Sequence, residues 1–199
     1  MPKISFTNAE ISLMKSATQL GHTEWSNKNL AAIKAKIKHQ KKQQTLQLCC
    51  YCQRDINSEF NFVLDIEHII PKSSRLMHMF TMKNLSVSCK RCNMSIKGAK
   101  TDFLSIPIAS LPRRAFKSRY YRFIHPNLDF PFKHLVRTHL QQGPIRLIKY
   151  HRYSDKGEYT YSYFRLHEFE VESANLAQGR RKVRKVSAES LSKFAKLQQ

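Results

Sequence analysis

Five cysteines between residues 49 and 92 include the chain's clearest metal-binding pattern. Cys49 with Cys52 and Cys89 with Cys92 form two Cys-x-x-Cys pairs, the spacing typical of a tetrahedral zinc site. A redox role or coincidence is the alternative, whereas disulfides are disfavoured in a reducing cytoplasm. Cys50 has no partner at this spacing, so we expect it to be a small buried apolar residue. The pattern therefore predicts one structural zinc ion.

The polar residues between and after these pairs could do chemistry that a zinc ion closed in by four cysteines could not. Glu67 and Asn93 offer hard oxygen ligands that suit Mg²⁺ or Mn²⁺. His68 could be a general base, and Asn84 could hold a loop carbonyl against its ring to fix the tautomer. Each residue alone is more commonly structural. Their joint spacing between two zinc pairs favours a catalytic site.

The elements that must position these residues can be inferred from the local pattern. Residues 60–66 are rich in aromatic and β-branched side chains and predict a strand that ends before Pro71. Residues 84–88 predict a second short strand, and Cys92 opens a helix that continues to about Lys100. The predicted order is strand, loop, strand and helix, with a cysteine pair at each end.

This combination resembles the HNH (ββα-metal) endonucleases over about residues 49–102. The matching residues are Glu67-His68-Ile69-Ile70-Pro71, then Asn84-Leu85, then Cys89-x-x-Cys92-Asn93 with Lys97. The resemblance implies that His68 is the general base, that Glu67 and Asn93 hold the catalytic Mg or Mn ion, and that Asn84 is structural. Two positions depart from the usual family pattern: Glu67 stands where aspartate is more frequent, and Asn93 where histidine is. Asp65 resembles an acid found in some members.

The wider chain is similar to HNH effectors of bacterial anti-phage systems such as Septu and retron cassettes. That similarity implies antiviral defence and a partner ATPase or another defence-system subunit. We expect a cytoplasmic enzyme, since the chain has no apolar run long enough to span a membrane and no apolar leader segment. The alternatives are a zinc-stabilised nucleic-acid-binding module without catalysis and a mobile-element nuclease.

The charge of the chain indicates a polyanionic partner. Lys and Arg number 35 against 14 Asp and Glu, giving a net charge of +21. DNA is the expected partner, with RNA as the alternative, although a soluble basic protein without a specific partner would have the same composition. The residues that we expect to contact nucleic acid are Lys72, Lys97, Arg113, Arg114, Lys117, Arg119 and Arg122.

The fold class that we predict is α+β, with a small ββα zinc-stapled core at residues 49–103. Residues 1–48 should be a basic helical segment whose lysines form either a solvated face or a phosphate-contacting face. Residues 104–199 should be a basic region of helix, β-hairpin and helix that packs on the core. In that hairpin Ile145–His151 would be the first strand, and Tyr159, Tyr161 and Tyr163 would alternate along the second.

Overall fold

The N-terminal segment forms two helices, as its periodicity predicted. In a computed structural model of the chain, which describes residues 4–57 and 63–172, α1 spans Asn8–Leu20 and α2 spans Ala31–Gln44. Thr7 begins α1 with a capping box, because its hydroxyl accepts from the Glu10 amide while the Glu10 carboxylate accepts from the Thr7 amide. α2 buries Ile33 and Ile37, and Lys41 is buried on the same face of the helix.

Two antiparallel strands and a helix follow in the predicted order. β1 (Leu64–His68) pairs with β2 (Leu85–Cys89), with Leu64 opposite Cys89 and His68 opposite Leu85. A π-helix, Arg91–Lys97, starts directly after β2 and has wide turns, as the bond from the Gly98 amide to the Asn93 carbonyl shows (2.6 Å). The predicted strand at 60–66 lies partly outside the described residues, and β1 continues to His68.

A hydrophobic cluster holds the two helices against this sheet. Its buried members are Ala17, Leu30, Ile33, Ile37, Met79 and Leu85, and Trp25 and Ile66 pack against them. The α2 helix contributes Ile33 and Ile37, whereas Leu85 comes from β2 and Met79 from the loop between the strands. The burial of these side chains holds α2 against the sheet.

The C-terminal prediction was wrong in its second strand. β3 (Leu135–Gln142), β4 (Ile145–Arg152) and β5 (Val171–Glu172) form a sheet in that order. The predicted first strand is thus β4, but its hairpin partner precedes it, and the chain turns at Gly143, where φ is 55°. Residues 155–163 form a helix, α3 (Asp155–Tyr163), in place of a strand.

Local capping explains why α3 forms. Ser154 accepts a hydrogen bond from the Gly157 amide, and Asp155 and Glu158 lie in the first turn, where negative charge stabilises a helix. A Cβ at Gly157 would clash with the His134 carbonyl, so close packing there requires glycine. These signals outweigh the alternation of tyrosines with small polar residues, which had suggested a strand.

Two helices were also predicted in the C-terminal region, one before the hairpin and one after it. Residues 113–123 form no α-helix, and they contain the short 3₁₀ turn Ser118–Tyr120 and an isolated bridge from Tyr121 to Leu104. The helix predicted after Glu172 lies outside the described residues. Mixed helices and small antiparallel sheets confirm the α+β class, whereas the boundaries at residues 48 and 103 stay predictions.

The chain divides into two compact units. The first contains the described residues up to Arg137 together with Tyr150–His167, and the second contains Thr138–Lys149 with the described residues from Glu168 onward. Every candidate site residue belongs to the first unit. Over residues 4–57 and 63–172, none of the helices has the length and apolar character needed to traverse a bilayer.

Candidate metal centre and catalytic face

Four cysteines meet in a buried cluster, as their spacing predicted. The Sγ atoms of Cys49, Cys52, Cys89 and Cys92 lie within 4.8 Å of one another, and those of Cys52 and Cys89 are 3.8 Å apart. Tetrahedral zinc with Zn–S bonds of about 2.3 Å places its sulfurs about 3.8 Å apart. All four thiols are free of disulfides. The cluster therefore fits a zinc ion.

Backbone turns aim the two cysteine pairs at each other. The Cys49 amide bonds to the Arg54 carbonyl (2.9 Å) and the Gln53 amide to the Cys49 carbonyl (2.9 Å), which makes a tight turn with Gln53 at a φ of 52°. The Cys89 amide, at the end of β2, points at Cys49 Sγ (3.3 Å). Cys50 lies outside the cluster and is half-buried.

His68 is held as a neutral imidazole in one tautomer. Its Nε2 atom lies 3.0 Å from the Met79 carbonyl oxygen, which can only accept, so Nε2 carries the proton and Nδ1 is the basic nitrogen. The Trp25 ring packs edge-on against it at 4.4 Å. Burial lowers the pKa of His68 to about 3, with smaller contributions from Lys72 and Lys97 and an opposing one from the Met79 carbonyl.

Asn84 holds the loop that carries the Met79 carbonyl. Its fully buried amide accepts from the Ile70 amide (2.8 Å) and donates to the carbonyls of Ile70 (2.9 Å) and His78 (3.2 Å). The adjacent carbonyl, that of Met79, is the one that meets His68. The single side chain of Asn84 thus joins Ile70 and His78, at the two ends of the loop.

Glu67 does not share a cleft with His68. Its carboxylate is buried, with Oε1 2.8 Å from Lys97 Nζ and 3.0 Å from the Tyr51 hydroxyl that donates to it. Successive side chains of a strand point to opposite faces, so His68 turns toward Trp25 while Glu67 turns toward the π-helix. His68, expected as the base, and Glu67, expected as a metal ligand, therefore lie on opposite faces of β1.

The assignment of Lys97 to phosphate contact also needs correction. Its side chain is 1% exposed, and besides Glu67 it donates to the carbonyls of His68 (2.9 Å) and Gly98 (3.3 Å). In the wide turns of the π-helix this residue instead points inward, where it neutralises Glu67.

Asp65 is the residue that the sequence interpretation weighed too lightly. It lies two positions before Glu67, on the same face of β1, and its Oδ2 accepts from the Asn93 amide nitrogen (3.1 Å). Lys90 Nζ is 3.6 Å from its Oδ1. The acid-x-acid spacing of Asp65 and Glu67 was the available signal. The acid of β1 that Asn93 contacts is therefore Asp65, not Glu67.

This face has the donor set for a hard cation. Glu67 Oε2 is buried without a hydrogen-bond partner in the described part of the chain. Burial raises the pKa of Glu67 above its ordinary value, although Lys97 and Tyr51 oppose the shift. A cation beside Oε2 would offset that cost, and Asp65 and Asn93 supply further oxygens. These oxygens are of the kind that Mg²⁺ or Mn²⁺ takes as ligands, and binding of either ion here stays a prediction.

The basic residues expected to contact nucleic acid differ in accessibility. Exposed side chains are those of Arg113, Arg114, Lys117, Arg119 and Arg122, and Lys72 is half-buried. Of the aromatic residues among them, Tyr121 and Phe123 are buried in the core, whereas Phe116 and Tyr120 are half-buried. The segment is therefore amphipathic, with its charges outward, and contact of those charges with nucleic acid stays a prediction.

His125 lies away from this face and should make the stability pH-dependent. It is fully buried, Nδ1 accepts from the Asn127 amide, and Nε2 has no partner in the described residues. Burial lowers its pKa to about 3, and Lys156 and Lys41 act in the same direction against Asp129. Below about pH 6.5 His125 binds a proton in the unfolded chain but not in the folded chain. The unfolding free energy should therefore fall by about 1.4 kcal/mol for each unit by which the pH is lowered.

Comparison with His125→Asn isolates that contribution. Asparagine keeps an acceptor for the Asn127 amide but does not titrate. Urea unfolding between pH 5 and 7, where zinc thiolates affect both proteins equally, should give a shallower pH slope for the variant by up to about 1.4 kcal/mol per unit. Equal slopes for the two proteins would show that His125 titrates normally in the folded state.

No protein-family model matches the chain, and no curated protein or solved structure does so. The features that point to a function are therefore the four-cysteine cluster, the geometry around His68 and the acidic face of β1. The resemblance of the motif residues to HNH nucleases remains a hypothesis.

Proposed function

We propose that the chain is a metal-dependent endonuclease of the HNH type that hydrolyses phosphodiester bonds in DNA. The observation that carries the proposal is the state of His68, which is neutral and fixed in one tautomer by a carbonyl in a loop that Asn84 holds. The same five-residue strand carries two carboxylates, one of which meets Asn93. The neutral form with an unprotonated Nδ1 is the state from which a general base starts.

In the proposed reaction His68 Nδ1 removes a proton from water as the water oxygen attacks phosphorus and the 3′ oxygen leaves. His68 ends β1, so a phosphodiester lying across the strand end could approach its ring. A divalent cation held by Asp65, Glu67 Oε2 and Asn93 would stabilise charge on the phosphate and the leaving oxygen. Phosphate near Lys72 would offset its positive field and raise the basicity of His68.

The decisive test is plasmid cleavage by wild type and His68→Ala with Mg²⁺, Mn²⁺ or EDTA. Wild type should nick in a metal-dependent way, and the variant should be about 10²–10⁴-fold slower because the general base is lost. His22→Ala, which removes an exposed histidine, is the matched control and should cut normally. Unchanged zinc content and melting temperature would show that the fold is intact. A His68→Ala protein with full activity would disprove the assigned role.

One observation favours the second candidate, a zinc-stabilised nucleic-acid-binding module. Glu67 is already neutralised by Lys97, which is a structural use of the acid that a nuclease would need for its metal. Such a module would bind DNA and never cut it, with no response to Mg²⁺ or Mn²⁺. Metal-dependent nicking that disappears in Asn93→Ala would exclude it.

The wider setting is also part of the proposal. A cytoplasmic antiviral defence effector that needs a partner ATPase or another defence subunit would be silent alone and active when its neighbours are co-expressed. A mobile-element nuclease would act without them. The cleavage assay with and without co-expressed neighbours separates the two settings.

A further inference from the structure

We propose that a nucleic acid strand lies along the groove between α2 and β1, which we call the α2 groove. It has a volume of about 570 Å³, and its wall includes Trp25, Lys34, Lys38, Lys42 and Asp65. This proposal rests on the proposed function. It adds the surface that would present the substrate to the site. Binding itself can be measured without cleavage.

The lysines of the groove form a regular positive row. Lys34, Lys38 and Lys42 recur every four residues, which on an α-helix is a rise of about 6 Å per step. That rise is close to the separation of neighbouring phosphates along one strand of nucleic acid. The α2 sequence contains no acidic residue. The row therefore presents a uniform field to a phosphate backbone.

Backbone carbonyls hold the ammonium groups of Lys34 and Lys42. Lys34 donates to the carbonyls of Trp25 (3.1 Å) and Asn27 (3.5 Å), and Lys42 donates to that of Asn57 (3.4 Å). Lys38 donates to the Leu64 carbonyl (2.7 Å) and also feels the charge of Asp65. Carbonyls orient an ammonium group without neutralising it, so phosphates could still pair with Lys34 and Lys42.

The floor of the groove suits close approach of a strand. Ala31 and Ala35 lie between the lysines, and the opposite face of α2 is committed to the core through Ile33 and Ile37. Small side chains at the floor let an extended chain lie near the helix axis.

Each wall of the groove contacts one of the candidate catalytic groups. Trp25 packs against the His68 ring at 4.4 Å, and Asp65 is bonded to Asn93 at 3.1 Å. A strand on the lysine row would therefore run beside both. Trp25 also offers an indole on which a base can stack, the usual companion of a basic groove in single-strand binding. This combination favours nucleic acid over an acidic protein segment.

Equilibrium binding to labelled oligonucleotides tests the groove. Fluorescence anisotropy of zinc-loaded full-length protein, without added Mg²⁺ or Mn²⁺, would compare single-stranded DNA, duplex DNA and RNA. The triple variant Lys34→Gln/Lys38→Gln/Lys42→Gln should bind about tenfold or more weakly at moderate salt, and the slope of log K against log salt should fall by about 2 to 3. Lys15→Gln/Lys83→Gln/Lys133→Gln removes the same charge from exposed sites that do not line the groove and should change both much less.

Trp25 supplies a label-free report from the groove, because it is the single tryptophan of the chain. Its emission should change on titration with unlabelled oligonucleotide and saturate at the concentration found by anisotropy. Binding without any change in emission would overturn the proposal. So would equal weakening in the two triple variants, or absence of binding at low salt by every oligonucleotide.

The two proposals fail separately. If the groove variant loses binding while wild type never cuts with any metal, the groove stands and the nuclease assignment falls. If wild type cuts and the groove variant binds and cuts equally well, the groove assignment falls and the nuclease stands.

Discussion

Cys89→Ser is expected to abolish zinc binding and to unfold the structure around β1 and β2. Cys89 ends β2, and its cluster joins the turn after α2 to the start of the π-helix. Structural zinc contributes on the order of 10–16 kcal/mol in small zinc domains, which is comparable to or larger than the 5–15 kcal/mol net stability of a typical domain. Zinc content by elemental analysis and the thermal unfolding midpoint would both report the loss.

The chain contains its own control for this substitution. Cys50→Ser makes the same chemical change next to a ligand, but Cys50 lies outside the cluster. We expect one zinc per chain and a small change in stability for Cys50→Ser. A strong chelator should reproduce the Cys89→Ser phenotype in wild type. Retention of zinc and normal folding by Cys89→Ser would contradict a four-thiolate site.

Lys97→Met is expected to destabilise the chain by about 3–5 kcal/mol, because it leaves a buried carboxylate without its cation. Glu67 and Lys97 are each 1% exposed and 2.8 Å apart, so water cannot replace the lost partner. The double variant Glu67→Gln/Lys97→Met should be destabilised less than the sum of the single variants, since no unpaired charge remains. Urea unfolding of zinc-loaded proteins measures each value.

Lys90 offers a matched comparison in the same region. It precedes the π-helix and approaches Asp65 at 3.6 Å, but its side chain is 38% exposed. Lys90→Met should cost less than about 1 kcal/mol, as exposed ion pairs usually do. Equal costs for Lys90→Met and Lys97→Met would show that water reaches the Glu67 pair and that burial does not control its strength.

Features that depend on short-range spacing were predicted correctly from the sequence. The four-cysteine cluster follows from two Cys-x-x-Cys pairs, because each pair needs only one tight turn to aim both sulfurs at one point. The helices α1 and α2 follow from apolar periodicity and, for α1, from its capping residues. The order of β1, β2 and the following helix follows from β-branched runs and from Pro71. All of these signals act within a few residues.

Features that depend on contacts between distant residues were decided by the tertiary structure. Glu67 and His68 are adjacent in sequence but have different partners. Glu67 is bonded to Tyr51 and Lys97. His68 packs against Trp25 and bonds to the Met79 carbonyl. Lys97 became a buried partner because the π-helix rotates it inward. Tyr159 to Tyr163 became helical because Ser154 caps α3 and Gly157 packs against His134. The sequence by itself determined which groups are available for chemistry, whereas packing decided which of them meet, because burial and pairing energies arise only when distant segments come together.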